Sequence, residues 1–229
     1  MNLPRRLVAE CLGTAFLLAI VVGSGIMAER LAVNNPALAL LANSIATGTG
    51  LIAIILTLGP VSSAHFNPVV TLVEAWQKNL AWRDVLPYLL AQILGAYAGV
   101  AAAHAMFELP LFFASMHPRS GAAQWFSEFI ASFGLIAVII SCSRSRASVT
   151  PFAVAAYITS AYWFTSSTSF ANPAVTLARA ASNTFAGIKA DDCLGFILAQ
   201  LLGAASASVL FGWLYPATNS SAASSTLSQ

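Results

Sequence analysis

The sequence predicts an all-α membrane protein of six transmembrane helices plus two re-entrant half-helices, arranged as an inverted repeat. Three observations lead there. Of the 229 residues, 58% are hydrophobic and 8% charged, where an ordinary soluble domain carries about 25% charge. The apolar residues gather into blocks of roughly 20, the length at which a helix rising about 1.5 Å per residue crosses a hydrocarbon core of roughly 30 Å. Three short motifs also occur twice, in the same order.

The six blocks lie near 7–28, 37–59, 85–107, 124–143, 147–165 and 193–214. The first follows Arg5 and Arg6 and could pass for a signal peptide. The repeat argues for its retention, because it is the counterpart of the fourth block. After the second block comes an irregular polar stretch, Gly59 to Phe66, and then Asn67-Pro68. Asn is a favoured N-cap and Pro a favoured first helical residue, so a helix starts here. It runs from Val69 to Trp76 or Gln77, roughly 15 Å, or half a bilayer. After the fifth block the pattern recurs: Thr165 to Ala171, then Asn172-Pro173 and a second half-helix over Ala174 to Asn183. The sixth block ends the domain, taken as 1–216 with halves of about 5–118 and 119–216. The tail, 217–229, is rich in Ser and Ala, has nothing to bury and is expected to be disordered.

The repeated anchors are specific. Glu10 and Glu128 each place one carboxylate early in a long apolar helix. Asn67-Pro68-Val69-Val70-Thr71 is matched by Asn172-Pro173-Ala174-Val175-Thr176, and Ala91-Gln92-Ile93-Leu94-Gly95-Ala96 by Ala199-Gln200-Leu201-Leu202-Gly203-Ala204. Three spans per half is an odd number, so the second half enters the membrane from the opposite side, and a site built from both motifs lies near the midplane.

Irregular backbone at membrane depth is tolerated only where protein buries it or a water-filled cavity lies beside it. Two half-helices starting at the centre would therefore line a pore. Their N-termini, each with about half a positive charge, would repel cations and protons. The amides of Asn67 and Asn172 would donate to passing oxygen atoms, which selects neutral hydrogen-bonding solutes.

On these residues the chain resembles the major intrinsic protein family, the aquaporins and aquaglyceroporins, over roughly residues 5 to 215. His65-Phe66-Asn67-Pro68-Val69 is similar to the family's first Asn-Pro-Ala box with its leading His-Phe, and Asn172-Pro173-Ala174 to the second. The resemblance implies an aquaporin-like right-handed bundle, passive conduction, no cofactor and a homotetramer with one pore per subunit. It also implies that Glu10 and Glu128 accept hydrogen bonds from the re-entrant loops, against the alternative of a proton relay.

Two departures bear on selectivity. The first box has Val69 in place of alanine. Val175 stands where family members usually carry the arginine of the outer constriction. Counting back from the boxes gives Thr47, Ser160 and Ser169 as its neighbours, within about one residue. Water-selective members resemble one another in having an aromatic residue and a histidine there. A valine is smaller and carries neither charge nor donors, so the opening suits solutes larger than water: glycerol, and undissociated arsenite, which the resemblance to Val-bearing bacterial members suggests. A water-selective pore is the alternative. Arg179, one helical turn beyond Val175, either restores some positive charge at the outer mouth or, the favoured reading, snorkels into water.

His65 is an inner-pore candidate. His104 and His117 read as surface or packing residues. Gly48, Gly50, Gly95, Gly99, Gly134 and Gly203 permit close helix approach. Trp76, Trp82, Trp125, Trp163 and Trp213 suit an interfacial belt. Cys11, Cys142 and Cys193 lack any disulfide or metal spacing.

The net charge of +2 does not suggest a nucleic-acid partner; the lipid bilayer is the implied one. Arg5, Arg6, Lys78, Arg83, Arg144 and Arg146 fall on one side, and Arg30, Arg119, Arg179 and Lys189 on the other. That bias puts both termini in the cytoplasm and the chain in the cell (inner) membrane. With no catalytic constellation evident, an enzyme is the least supported class, behind an ion-coupled carrier.

Overall fold

The computed structural model describes residues 1–216; the tail expected to be disordered, 217–229, lies outside the described residues. Eight α-helices follow one another: α1 (Leu3–Leu31), α2 (Pro36–Ser62), α3 (Pro68–Trp76), α4 (Trp82–Met106), α5 (Ala122–Ser145), α6 (Thr150–Phe164), α7 (Pro173–Arg179) and α8 (Cys193–Leu214). Helix starts carry the signals the sequence promised. Asn2, Asn35, Asn67 and Asn172 each cap a helix whose first turn holds a proline, which satisfies amide groups left over at a helix end.

Among the described residues, five helices are long and apolar enough to cross a bilayer: α1, α2, α4, α5 and the last, counted from Ala190. The remaining span is shorter than the expected 147–165. Arg146 leaves helical backbone, residues Ala147–Val149 form a 3-10 turn, and α6 itself has 15 residues. At about 1.5 Å per residue it reaches roughly 22 Å, and the preceding turn makes up much of the rest.

The packing follows the repeat. Helix α1 lies against α4 and α2, and α5 lies correspondingly against α8 and α6; α3 touches α4 and α8, and α7 touches α8 and α4. Contacts α2 with α6 and α3 with α7 join the halves across the pseudo-two-fold axis. The closest approaches also repeat. A side chain at Gly95 would run into the Cys11 carbonyl, and one at Gly203 into the Phe129 carbonyl, so glycine is required where each span crosses its neighbour.

The outside is apolar and the inside partly polar. Leu94, Leu202 and Val209 are 68%, 64% and 69% exposed, whereas Glu10, Thr14, Gln92, Glu128, Ser132 and Gln200 are fully buried. Such an exterior matches hydrocarbon, and such an interior demands internal hydrogen-bond partners. Trp76, Trp82, Trp125, Trp163 and Trp213 are all exposed. His104, by contrast, is fully buried, bonded to the Leu111 carbonyl and the Ser182 hydroxyl at 2.8 Å each.

The second half-helix is also shorter than the sequence suggested, ending at Arg179 and not near Asn183. The carbonyls just beyond its end are taken by the connection between α4 and α5. Ser115 donates to the Ala180 carbonyl at 2.9 Å and Phe113 to that of Ala181 at 3.1 Å, in a bridge pairing Phe113 with Ser182. That connection folds over the outer end of α7.

Candidate functional site: a cavity between two opposed half-helices

Each re-entrant loop reaches its half-helix through three residues with left-handed backbone: Ser63, Ala64 and Phe66 before α3, and Thr168, Ser169 and Ala171 before α7. None is a glycine. The two sets differ by the same 105 positions that separate Asn67 from Asn172. Side chains in that conformation are unfavourable unless the surroundings over-determine it.

The surroundings are two buried carboxylates. Glu10 accepts from the Ser62 hydroxyl at 2.7 Å, the His65 and Phe66 amides at 3.0 and 2.7 Å, and Gln92 Nε2 at 2.8 Å. Glu128 accepts from the Ser167 hydroxyl at 2.6 Å, the Phe170 and Ala171 amides at 2.9 Å each, and Gln200 Nε2 at 2.6 Å. Each glutamine amide also donates to the threonine of its box, Thr71 or Thr176, at 2.9 Å. Charge-assisted bonds of this kind are the strong ones, and four per carboxylate satisfy its oxygens without a cation.

The two half-helices are locked to each other by their caps. Asn67 Oδ1 accepts from the Val69 amide at 3.0 Å while its Nδ2 donates to the Ala171 carbonyl at 2.7 Å. Asn172 Oδ1 accepts from the Ala174 and Val175 amides at 3.0 and 3.3 Å, and its Nδ2 donates to the Phe66 carbonyl at 2.8 Å. A primary amide has two N–H donors, so each asparagine keeps one beyond this exchange.

Both asparagines line a cavity of about 240 Å³ that extends past the meeting point in both directions. On one side it is bounded by Ser63, Ala64, His65, Glu74, Ser143 and Thr150, and on the other by Thr47, Tyr162, Ser169, Val175 and Arg179. Aliphatic side chains, Leu17, Val21, Leu51, Leu135, Val154 and Ile158 among them, cover much of the remaining wall. Polar groups and hydrocarbon therefore share the wall.

The structure brings most of the sequence-derived residues together here. Thr47, Ser169 and Val175 are 2%, 3% and 5% exposed and line the cavity. The Ser169 hydroxyl is buried with no partner among the described residues. His65 lines it too, with Nδ1 3.1 Å from the Thr71 hydroxyl. Pro68, Pro173 and Ala174 are buried behind the caps. Val69, fully buried, packs with Val73, Ile136 and Ile140, so its extra methyl groups occupy the helix interface and not the lumen.

Two expectations need correction. Ser160 stands on the far face of α6, exposed, with its hydroxyl bonded to the Tyr157 carbonyl at 2.8 Å. Ile158 and Tyr162, one turn apart, take the inward face, and a residue midway between them must point away. The Tyr162 hydroxyl lies 3.2 Å from that of Thr47. Arg179 does not snorkel into water: it is 2% exposed, its Nε donates to the Ala186 carbonyl, and its guanidinium lies 3.4 Å from the centre of the Phe170 ring. Arg119 reaches the same ring at 5.1 Å and bonds the Gly187 and Ser167 carbonyls. Cation–π contact and carbonyl acceptors compensate what water would otherwise supply.

Sequence reasoning missed Tyr162, Arg119 and Glu74. The signal for Glu74 was present: it is the seventh residue after Asn67, as Arg179 is after Asn172.

The model of the family described as "Major intrinsic protein" matches residues 1–165. This chain belongs to the major intrinsic protein family. Aquaglyceroporin AqpS of Rhizobium meliloti is 54% identical over 213 residues, 93% of this chain and 91% of that protein. Aquaporin NIP6-1 of Arabidopsis thaliana is 30% identical over 150 residues, covering 65% of this chain and 48% of that protein. Among solved structures, the aquaglyceroporin from Plasmodium falciparum superposes with a TM-score of 0.66 at 19% identity, over 93% of this chain and 96% of that one. At that identity the likeness concerns the fold, and it is the aquaporin fold: long apolar helices around two half-helices. As a major intrinsic protein, the chain is a membrane channel for small solutes.

Proposed function

We propose that the chain passively conducts small neutral hydroxylated solutes wider than water, namely glycerol and similar polyols and undissociated arsenite, together with water, while excluding protons and ions. The observation that carries this reading is the outer half of the cavity. There Val175 supplies an aliphatic surface in place of a guanidinium, and the hydroxyl-bearing Thr47 and Ser169 line the same half. A three-carbon triol has a hydroxylated edge and a hydrocarbon edge and fits such a wall. Arsenous acid, a neutral trihydroxide, fits by size and donor count. The similarity to a relative named as an aquaglyceroporin supports the same reading. In the centre, two helix N-termini face each other and oppose cations and protons.

A second reading, a water-selective pore, is favoured by Tyr162 and Arg179, which narrow the outer half and return a guanidinium to it. Stopped-flow light scattering on proteoliposomes separates the two. Under the wide-pore reading the wild type passes glycerol and arsenite, and Val175→Arg cuts both by roughly tenfold or more, the discrimination expected of a pore set by diameter and lining donors, with water flux much less affected. Wild-type vesicles that pass water and exclude glycerol and arsenite would establish the narrow pore instead.

The assembly and orientation belong to the same proposal: a homotetramer in the cell (inner) membrane with both termini in the cytoplasm. An apolar groove on the outer surface, lined by Trp76, Trp82, Leu202 and Val209 from α3, α4 and α8, supports a neighbouring subunit there, and the Arg and Lys bias supports the orientation.

A further inference from the structure

The cavity wall carries two formal charges of opposite sign, Glu74 and Arg179, at equivalent places in the repeat. Each lies about 10 Å along its half-helix from the meeting point, in opposite directions. The rest of the lining is electropositive or neutral. Two helix N-termini meet at the centre, Arg179 lies beyond them on one side, and Arg119 stands behind Arg179 across the Phe170 ring. Glu10 and Glu128 carry their own sets of donors and are not among the lining residues. An anion entering from the Arg179 side therefore meets lining groups that are positive or neutral as far as the midpoint.

Glu74 is the exception, a carboxylate on the cavity wall. It sits in the last turn of α3, where the helix dipole favours a cation and opposes a carboxylate. One of its oxygens accepts from Asn79 Nδ2 at 2.8 Å. The other takes no hydrogen bond, and no ion pair forms at Glu74, among the described residues. Arg144, the nearest cation on α5, is committed to Gln77 Oε1 at 2.7 Å and to the Gly212 and Tyr215 carbonyls. An ionisable group on the wall of a membrane channel is a candidate functional residue by default.

We propose that Glu74 is the anion barrier of this pore, a specificity-determining carboxylate that cancels the positive field of the centre and outer half. The inference rests on the channel reading above. Arg179 and the helix termini turn back cations, Glu74 turns back anions, and neutral solutes pass both.

The test uses full-length protein in proteoliposomes, with glycerol swelling and chloride influx, the latter read by a halide-quenched dye, measured on the same preparations. Wild type and Glu74→Asp should pass glycerol and show chloride influx no greater than empty vesicles. Glu74→Gln should raise chloride influx relative to glycerol flux by roughly tenfold, since a unit charge at this range is worth about that factor at the effective dielectric of a protein interior. Ser143→Lys, which sets a cation at the same end of the cavity and leaves Glu74 in place, should raise the ratio of chloride influx to glycerol flux in the same vesicles and covers the case in which Glu74→Gln fails to fold. Glycerol flux without chloride flux in whichever of these variants folds would overturn the proposal, as would chloride flux in the wild type. A wild type that passes neither water nor glycerol would fell the channel reading itself, and this barrier with it.

Discussion

Glu10 and Glu128 illustrate how single residues hold the channel's least regular segments. Each accepts four hydrogen bonds and fixes three left-handed, non-glycine residues. A glutamine amide carries one acceptor oxygen in place of two and no charge, so Glu10→Gln or Glu128→Gln should each cost about 3 kcal/mol, one or two charge-assisted bonds. The measurement is detergent-solubilised thermal unfolding, and equal losses are expected at both sites because their donor sets match. The boxes and both carboxylates were legible because an Asn-Pro cap and an intramembrane glutamate are anomalous wherever they occur. The filter was less so: Ser160 was placed by counting across an irregular loop, and an offset of two residues in a helix exchanges inward for outward. The burial of Arg179 was hidden for another reason. Its compensating groups, Phe170 and the Ala186 carbonyl, lie outside the helix on which its exposure was judged.

At the scale of elements, the two half-helices form one unit and not two independent plugs. Each cap asparagine donates to a carbonyl of the opposite loop, Asn67 to Ala171 and Asn172 to Phe66. Loss of either asparagine loosens both loops, so the two substitutions should be non-additive. A double-mutant cycle of Asn67→Ala and Asn172→Ala, read by thermal unfolding, should give a coupling energy of about 1 kcal/mol. Additive losses would mean that the loops hold their positions separately. Helix existence and order were readable from apolar block length, which bilayer thickness fixes. The ends were not. The start of α6 depends on the break in helical backbone at Arg146, and the chain after α7 on carbonyls of Ala180 and Ala181 captured by the distant segment around Phe113 and Ser115. Both are tertiary events that a local pattern does not encode.

For the whole molecule, the repeat organises everything else: paired helix contacts, paired carboxylates, paired caps and a cavity whose opposite ends bear opposite charge. The symmetry was visible in the sequence as three motifs in fixed order, while the cavity joining them was only an expectation. What that geometry asserts is a continuous path for solute between the half-helices, past Ser169 on one side and Glu74 on the other. Its most direct test is thiol blockade of Ser169→Cys in a background where Cys11, Cys142 and Cys193 are replaced by serine or alanine, with glycerol flux recorded before and after a membrane-impermeant thiol reagent. The account predicts that the modified cysteine lowers glycerol flux by roughly tenfold, as expected when bulk occupies a narrow pore, and that the cysteine-free parent is unaffected. Complete modification of the cysteine with glycerol flux unchanged would contradict it.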